Sequence, residues 1–462
     1  MRVAVVGGGL AGLAAGCALS DAGHSVKLFE RRPYVGGRAS SYEHPGTDEV
    51  IDNCQHVLVG CCTNLIDLYR RSGVADQIRW YDRIVFLEPG GRRSVLAPGP
   101  LPAPLHSSLA FLSFQALNIE EKAAIGRGLM SFVRRVPGDD RETFSDWLVR
   151  HGQPQRAIDR FWRPVLVSAL NEEVNRVSTK YVAHVFHDSF LASAEAGRIG
   201  VPAVPLSDLY GKCADYIRAR GGELLLRTSV DGVREGPGGG WVVSAAGVDH
   251  PVDAVVVALS FGGMQRLLPQ MPAGAVRDGL DAKLKHFEFS PITGIHLWFD
   301  REVTELEHAV LLDTTIQWMF QKSKIQPQRH GGSGSYLELV VSASQSLVNM
   351  QRQEIIDLAM QELAMFFPRA KEATLEKAAV VKEVHATFSC VPGLDAFRPQ
   401  TQTDWPGIFL AGDWTATNWP ATMEGAVRSG YFAAEAVTRA AGDAKRFLVP
   451  DLAPQGLMRL FG

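Results

Sequence analysis

The sequence predicts an α/β fold whose main parallel sheet is assembled from stretches far apart in the chain. Three observations predict it. Residues 2–30 run strand, glycine turn, helix, strand. Residues 408–441 run strand, Gly412-Asp413, loop, Ala-rich helix. Between them, residues 206–220 read as a helix and residues 223–230, 241–245 and 252–259 as short strands.

Taken in order, Arg2–Val6 is β-branched and apolar, the composition of a buried parallel strand. Gly7-Gly8-Gly9-Leu10-Ala11-Gly12 follows and contains Gly-x-Gly-x-x-Gly. Residues 10–22 are Ala- and Leu-rich, Gly23 stands at the C-cap, and residues 25–29 form a second strand closed by Glu30. Glycines alone mark many turns, but this order of elements has one physical logic. Gly7 permits a tight turn, Gly9 lets a pyrophosphate approach the backbone, and Gly12 allows close helix–strand packing. The N–H groups of the helix start, at Leu10 and Ala11, then face the phosphates. Glu30 sits where an acid accepts hydrogen bonds from the adenosine ribose.

Composition excludes other classes. The 462 residues suggest two to four domains at roughly 100–200 residues each. With 46% hydrophobic and 21% charged residues the chain is globular rather than fibrous or disordered. Lys+Arg 47 against Asp+Glu 50 gives −3, too balanced for a nucleic-acid binder that works by charge. Six cysteines without regular spacing form no disulfide framework and suit a reducing compartment; adjacent Cys61 and Cys62 read as small core residues rather than a redox pair. The stretch after Arg2 resembles a signal peptide superficially, yet its five glycines and the ordered pattern beyond them argue otherwise. No spanning helix is expected, so any membrane contact is peripheral.

Arg31-Arg32-Pro33-Tyr34-Val35-Gly36-Gly37-Arg38 resembles the glycine-pair-plus-arginine signature of the FAD-dependent amine oxidase and phytoene desaturase superfamily. The resemblance implies FAD as cofactor, with a Rossmann-like, discontinuous FAD-binding domain and Arg38 as a bidentate cation to the pyrophosphate. The C-terminal stretch matches the same superfamily. Asp413, after Gly412, matches the acid that binds the ribityl chain, and Thr422, Met423, Gly425 and Ala426 match the helix start beneath the flavin. A helix N-terminus stabilises the negative charge of a reduced flavin. Read without the family, Gly412-Asp413 also fits a strand end with an N-cap, and Glu424 also fits an acid in a first helical turn. Val230 resembles the position whose backbone holds the adenine.

On this reading residues 1–63, 198–260 and 385–445 form the FAD-binding domain. Residues 64–197 form a mainly helical insertion, with Phe144, Trp147, Leu148 and Phe161, Trp162, Leu166 at helical spacing. Residues 261–384 form a mixed α+β substrate domain, with strands at 292–299 and 336–342 and a helix at 344–367. Residues 101–117 carry no charge and present Leu105, Leu109, Phe111, Leu112 and Phe114. They read either as a core helix or as an interfacial, membrane-facing helix that admits a lipid.

Several strings favour one branch: Asp52-Asn53-Cys54-Gln55-His56, residues 101–106, Phe161-Trp162-Arg163-Pro164, Ala169-Leu170-Asn171, and Trp414 with residues 419–425. Together they resemble the hydroxysqualene dehydroxylases of bacterial hopanoid pathways over residues 1–440, with Cys54 and Asn418 departing from the pattern. The resemblance implies reductive dehydroxylation of hydroxysqualene to squalene. The expected site is an apolar tunnel, with His56 or Asp52 as proton donor. It also implies an isoprenoid lipid as the partner and a cytoplasmic enzyme, peripheral on the inner face of the membrane. Asn171 reads as a helix cap or a substrate contact. No metal site is expected. The alternatives are a carotenoid desaturase, an amine oxidase with Trp414 and Trp419 as an aromatic pair, and a non-catalytic Rab-escort-like binder.

Overall fold

The computed structural model describes residues 1–134, 137–330 and 334–461. Arg2–Val6 lies at the centre of a five-stranded parallel sheet, in the order Glu223–Leu225, Ser25–Phe29, Arg2–Val6, Ala254–Val257, Ile408–Leu410. Its inner strands are almost wholly apolar because helices cover both faces. The fold is therefore α/β, and strands from both ends of the chain share one sheet.

Helix Leu10–Asp21 packs against Leu206–Ala219 and against the last long helix, Met423–Ala440. This last crossing is very close. A Cβ on Gly430 would stand 2.2 Å from the Ala11 carbonyl oxygen, so only glycine lets the C-terminal helix rest there. The strand expected at 223–230 stops at Leu225; Arg227, at φ +55°, turns the chain, and Val230 opens a separate antiparallel sheet with Trp241–Ala245 and Val248–Val252. The run expected as one strand over 252–259 is broken at Asp253, whose carboxylate accepts from the Arg2 N–H at 2.7 Å.

The second large layer is a seven-stranded sheet ordered Leu375–Phe388, Phe289–Phe299, Ser335–Ser342, Trp318–Gln321, His308–Leu311, Ile84–Leu87, Arg93–Leu96. Two expected boundaries change here. Residues 84–96, placed in the helical insertion, are strands of this sheet. The division at 384/385 falls inside the 14-residue strand Leu375–Phe388. Helix Arg352–Phe366 covers one face, where Ile295, Leu297, Leu337 and Leu339 are fully buried. The helical expectation at 344–367 shortens because Gln351 and Glu354 form a capping box that starts the helix late. The opposite face, with Phe86, Val310, Phe320 and Val340, packs against the insertion's aromatic cluster of Phe114, Phe161, Trp162 and Phe186.

Residues 101–117 form only two short turns, Leu105–Ser107 and Ser108–Leu112. Phe114 is buried, but Leu105, Leu109 and Leu112 are 42%, 53% and 58% exposed, which is not a core helix. The final turn, Gly456–Leu460, lies beside them through a Leu457 N–H to Ala103 carbonyl bond of 2.7 Å, and it exposes Leu460 and Phe461. No described helix is long and apolar enough to cross a membrane.

Candidate functional site

The site is built where the parallel strands end. Gly7 takes φ +110°, and a Cβ on Gly12 would meet the Gly7 carbonyl oxygen at 1.9 Å, so the turn closes tightly onto the helix. Helix Leu10–Asp21 starts at Gly9 with no side-chain cap and no acid in its first turn, although Leu10, Ala11 and Gly12 are buried. A buried helix start with uncapped N–H groups is a ready anion site. Glu30, also buried, accepts from the Gly8 N–H (2.8 Å) and the Arg32 N–H (2.8 Å), which fixes its carboxylate beside that turn.

The second glycine pair docks directly on the first. Gly9 and Gly36 form a parallel bridge, the Gly36 N–H donates to the Gly8 carbonyl, and a Cβ on Gly37 would be 3.0 Å from the Gly9 Cα. Arg31 is exposed on the following turn. Arg38 reaches across to the other end of the chain: its guanidinium donates to Asp413 Oδ1 at 2.6 Å and to the Ala386 carbonyl at 3.0 Å. Each terminal nitrogen of Arg38 thus has one protein partner and a second N–H to spare, and the ion pair ties Gly37-Arg38 to Gly412-Asp413. Thr228, two residues before Val230, donates its N–H to the Glu30 carbonyl (2.9 Å).

Thr422 caps the C-terminal helix by accepting from the Gly425 N–H at 3.1 Å, and the Ala426 N–H bonds back to the Thr422 carbonyl. That leaves the Met423 and Glu424 N–H groups as the open end of the helix. Glu424 itself does more than decorate a first turn. Its buried carboxylate accepts from the Asn64 and Leu65 N–H groups, from the Asn64 amide and from Arg428 Nε, so it caps helix Thr63–Ser72 from across the fold. Trp414 is fully buried, donates to the Leu259 carbonyl and meets Phe287 edge-on, while Trp419 lies under Arg428; neither forms an open aromatic pair. Asn171 is a left-handed C-cap (φ +52°) bonded to Ser290, Thr387 and Ala343.

The loop that follows strand Glu49–Asp52 carries the two expected acids. Asp52 is buried; it accepts from Lys322 Nζ (2.7 Å), Ser41 Oγ (2.6 Å) and the Leu206 N–H (3.1 Å). Burial raises its pKa, but Lys322 and these hydrogen bonds outweigh it and hold the group below the usual aspartate value. Asp52 therefore has no proton to give, which corrects its expected role as an acid. His56 Nδ1 lies 2.8 Å from the Cys54 carbonyl. A carbonyl can only accept, so Nδ1 carries the hydrogen and Nε2 bears a lone pair. Burial lowers the imidazole pKa, with the Cys54 carbonyl opposing it in part. His56 is thus held toward its neutral form, with the lone pair on Nε2.

Sequence reasoning missed three groups. Arg398, buried, donates to the Asp413 carbonyl (2.8 Å), the Thr415 carbonyl (2.6 Å) and Thr417 Oγ1 (3.1 Å) and shapes the loop after Gly412. Lys322 and Glu338 lie behind Asp52. No local pattern marks any of them.

The residues fit FAD: two interlocked glycine turns, an uncapped buried helix start, a fixed acid at the ribose position and a second open helix end gather at one end of the sheet. Such a set at the carboxyl ends of a parallel sheet, completed by both chain ends, defines a dinucleotide-binding protein of the flavin type. The profile described as "Flavin containing amine oxidoreductase" matches residues 10–438, and the chain belongs to that family. It is an FAD-dependent oxidoreductase. The chain is 29% identical to the probable zeta-carotene desaturase of Synechococcus elongatus, over 95% of this chain and 99% of that one. It is 28% identical to the 15-cis-phytoene desaturase of the same organism, over 95% and 96%. Among solved structures, an oxidoreductase from Methanosarcina mazei superposes with a TM-score of 0.73 at 17% identity, covering 93% of this chain and 99% of that chain. Cyclohexylamine oxidase from Brevibacterium oxydans gives 0.68 at 18%, over 96% and 99%. At these identities the two structures establish the shared fold.

Proposed function

We propose that the protein oxidises an acyclic isoprenoid in the manner of a carotenoid desaturase, removing two hydrogens from adjacent carbons of an oily chain. When bound, FAD supplies a two-electron acceptor. The observation that carries the reading is the His56 tautomer: with Nδ1 bonded to the Cys54 carbonyl, Nε2 bears a lone pair that can take the proton a desaturation sheds. Cys54 of the loop belongs to the same buried apolar cluster as Phe86, Val310, Phe320 and Val340, surroundings that exclude water and suit a hydrocarbon. The names of the relatives support the same substrate class.

A second reading, reductive dehydroxylation of hydroxysqualene, is favoured by the strings at 52–56 and 414–425. In that reaction the allylic C–O bond would break, a hydride supplied by reduced FAD would form the new C–H bond, and the oxygen, taking up a proton, would leave as water. The test incubates oxidised enzyme with phytoene or zeta-carotene and an artificial quinone, and dithionite-reduced enzyme with hydroxysqualene. Products are read by mass spectrometry. Desaturated carotenoid is expected; squalene formation with no carotenoid conversion would replace the first reading by the second. In the active assay, His56→Ala is expected to lose about 10²–10⁴-fold in turnover at unchanged flavin content. Full turnover would remove His56 from the chemistry.

The exposed Leu105, Leu109, Leu112, Leu460 and Phe461 support a monotopic contact through which the lipid enters from a bilayer. The six free cysteines suit a reducing compartment and so support the cytoplasmic face for that contact. Replacing the three leucines with serine is expected to reduce co-sedimentation with liposomes at least tenfold. Equal binding by the variant would reject this contact.

A further inference from the structure

Behind the Asp52–His56 loop lies a group of charges sealed from water. Lys322 Nζ donates to Asp52 Oδ2 at 2.7 Å and to Gln55 Oε1 at 2.9 Å, and stands 3.2 Å from Glu338 Oε2. All three ionisable side chains are at most 2% exposed. Among the described residues no other ion pair reaches either carboxyl group. Two carboxylates and one ammonium leave one uncompensated negative charge, which a dry interior does not tolerate; the ordinary escape is for one acid to hold its proton.

Geometry selects the acid. Asp52 takes three donors, whereas Glu338 is approached by Lys322 and the Gln55 N–H without a well-formed hydrogen bond to either oxygen. Directly across the strand pair from Glu338 is His296, also fully buried. Its Nδ1 pairs with Tyr336 Oη at 2.8 Å and its Nε2 has no partner. The missing side chain of Gly294 seats the loop here: a Cβ on Gly294 would lie 3.5 Å from His296 Nε2 and 3.3 Å from the Asn53 carbonyl oxygen. The unpaired groups thus back onto the loop whose Asn53 bonds the Arg38 carbonyl and whose His56 is the proton acceptor.

We propose that Glu338 is a positioning residue that stores one proton under the cofactor-facing loop, and that its release places a negative charge there which makes the bound flavin harder to reduce. The proposal rests on the flavin-dependent reading of the site but not on the identity of the lipid. Burial and the neighbouring Asp52 push the Glu338 carboxyl up, against Lys322, to about 7, so release falls near neutral pH. The groups facing it are Asp52, Lys322, Tyr336 and His296. From further off, His44 and His330 act on His296 and Glu49 on Tyr336, while Glu338 and Glu383 both act on the Cys54 thiol. His296 is held near 3 by burial and stays neutral throughout this range.

The sign of the pH effect on stability follows. The unfolded chain loses this proton at the usual glutamate value, while the folded protein keeps it to about 7. Glu338 therefore stabilises fully at low pH, less as pH rises through that interval, and not at all above it.

Two readouts test the proposal on the holoenzyme. Infrared difference spectra between about pH 5 and about pH 9 should show a carboxylic-acid carbonyl band lost near neutrality, absent in Glu338→Gln. The flavin midpoint potential should fall more steeply with pH across neutrality in the native enzyme than in Glu338→Gln. In Asp52→Asn, which removes the competing charge, both transitions should move to lower pH. If Glu338→Gln does not accumulate, the native spectra and Asp52→Asn still decide. Absence of the band from the native enzyme, or its persistence in Glu338→Gln, overturns the proposal. So does a potential whose pH dependence is unchanged by Glu338→Gln. The infrared arm needs no substrate, so failure to turn over an isoprenoid would overturn the lipid reading and leave this one standing.

Discussion

Gly12→Ala is expected to yield protein that purifies with little or no flavin. The added Cβ would lie 1.9 Å from the Gly7 carbonyl oxygen, a backbone atom that cannot swing aside. The glycine turn and the helix start must then separate by more than an ångström, and the N–H groups that should face the phosphates leave their places. Overpacking of this kind costs about 1–3 kcal/mol where side chains can adjust, and more where only backbone can move. Because about 1.4 kcal/mol is tenfold in affinity, FAD binding should weaken by at least tenfold. Gly16→Ala in the same helix is the control. Its Cβ meets the end of the flexible Ile217 side chain at 2.7 Å, so flavin content should hold with a modest stability loss. The ratio of flavin to protein absorbance after purification decides. Equal ratios for both variants would mean that this turn does not bind the cofactor.

Glu424→Ala should be the most destabilising side-chain truncation near the site, costing about 3–5 kcal/mol. Four donors converge on this carboxylate, and two of them are the backbone N–H groups that open helix Thr63–Ser72, whose own N-cap residue Cys62 supplies no side-chain acceptor. Truncation strands those groups and leaves the buried Arg428 with only Asp451, which is 65% exposed, as its carboxylate partner. Glu424→Gln keeps the shape and one acceptor oxygen, so its loss should be clearly smaller. Denaturant unfolding monitored by both flavin release and circular dichroism measures the difference. A loss below about 1 kcal/mol for Glu424→Ala would show that water satisfies these donors.

Much of the cofactor crevice was legible in the linear sequence because its chemistry is local. A Gly-x-Gly-x-x-Gly turn, an acid ending the second strand and a Gly-Asp at a strand end each state a requirement met by neighbouring residues. The roles assigned to Asp52 and His56 were not legible in this way. Residue type made both plausible proton donors, but protonation state depends on partners: Lys322, some 270 positions away, holds Asp52 ionised, and the Cys54 carbonyl fixes the His56 tautomer. Strand Leu375–Phe388 was missed because it mixes charged and apolar residues without a clean alternation, and its pairing with Phe289–Phe299 supplies the order that its sequence lacks.

The sequence by itself determined the α/β class, the parallel strands at residues 2–6, 25–29 and 408–410, and the turns that approach a dinucleotide. These follow from hydrophobic runs and glycine sterics acting within a few residues. Only the tertiary structure decided that Gly430 seats the last helix on Ala11, that Arg38 meets Asp413, and that Glu338 faces Lys322 with no second cation among the described residues. Contacts of this kind depend on where distant segments come to rest, and the free energy of a buried charge depends on every neighbour, not on the residue that bears it.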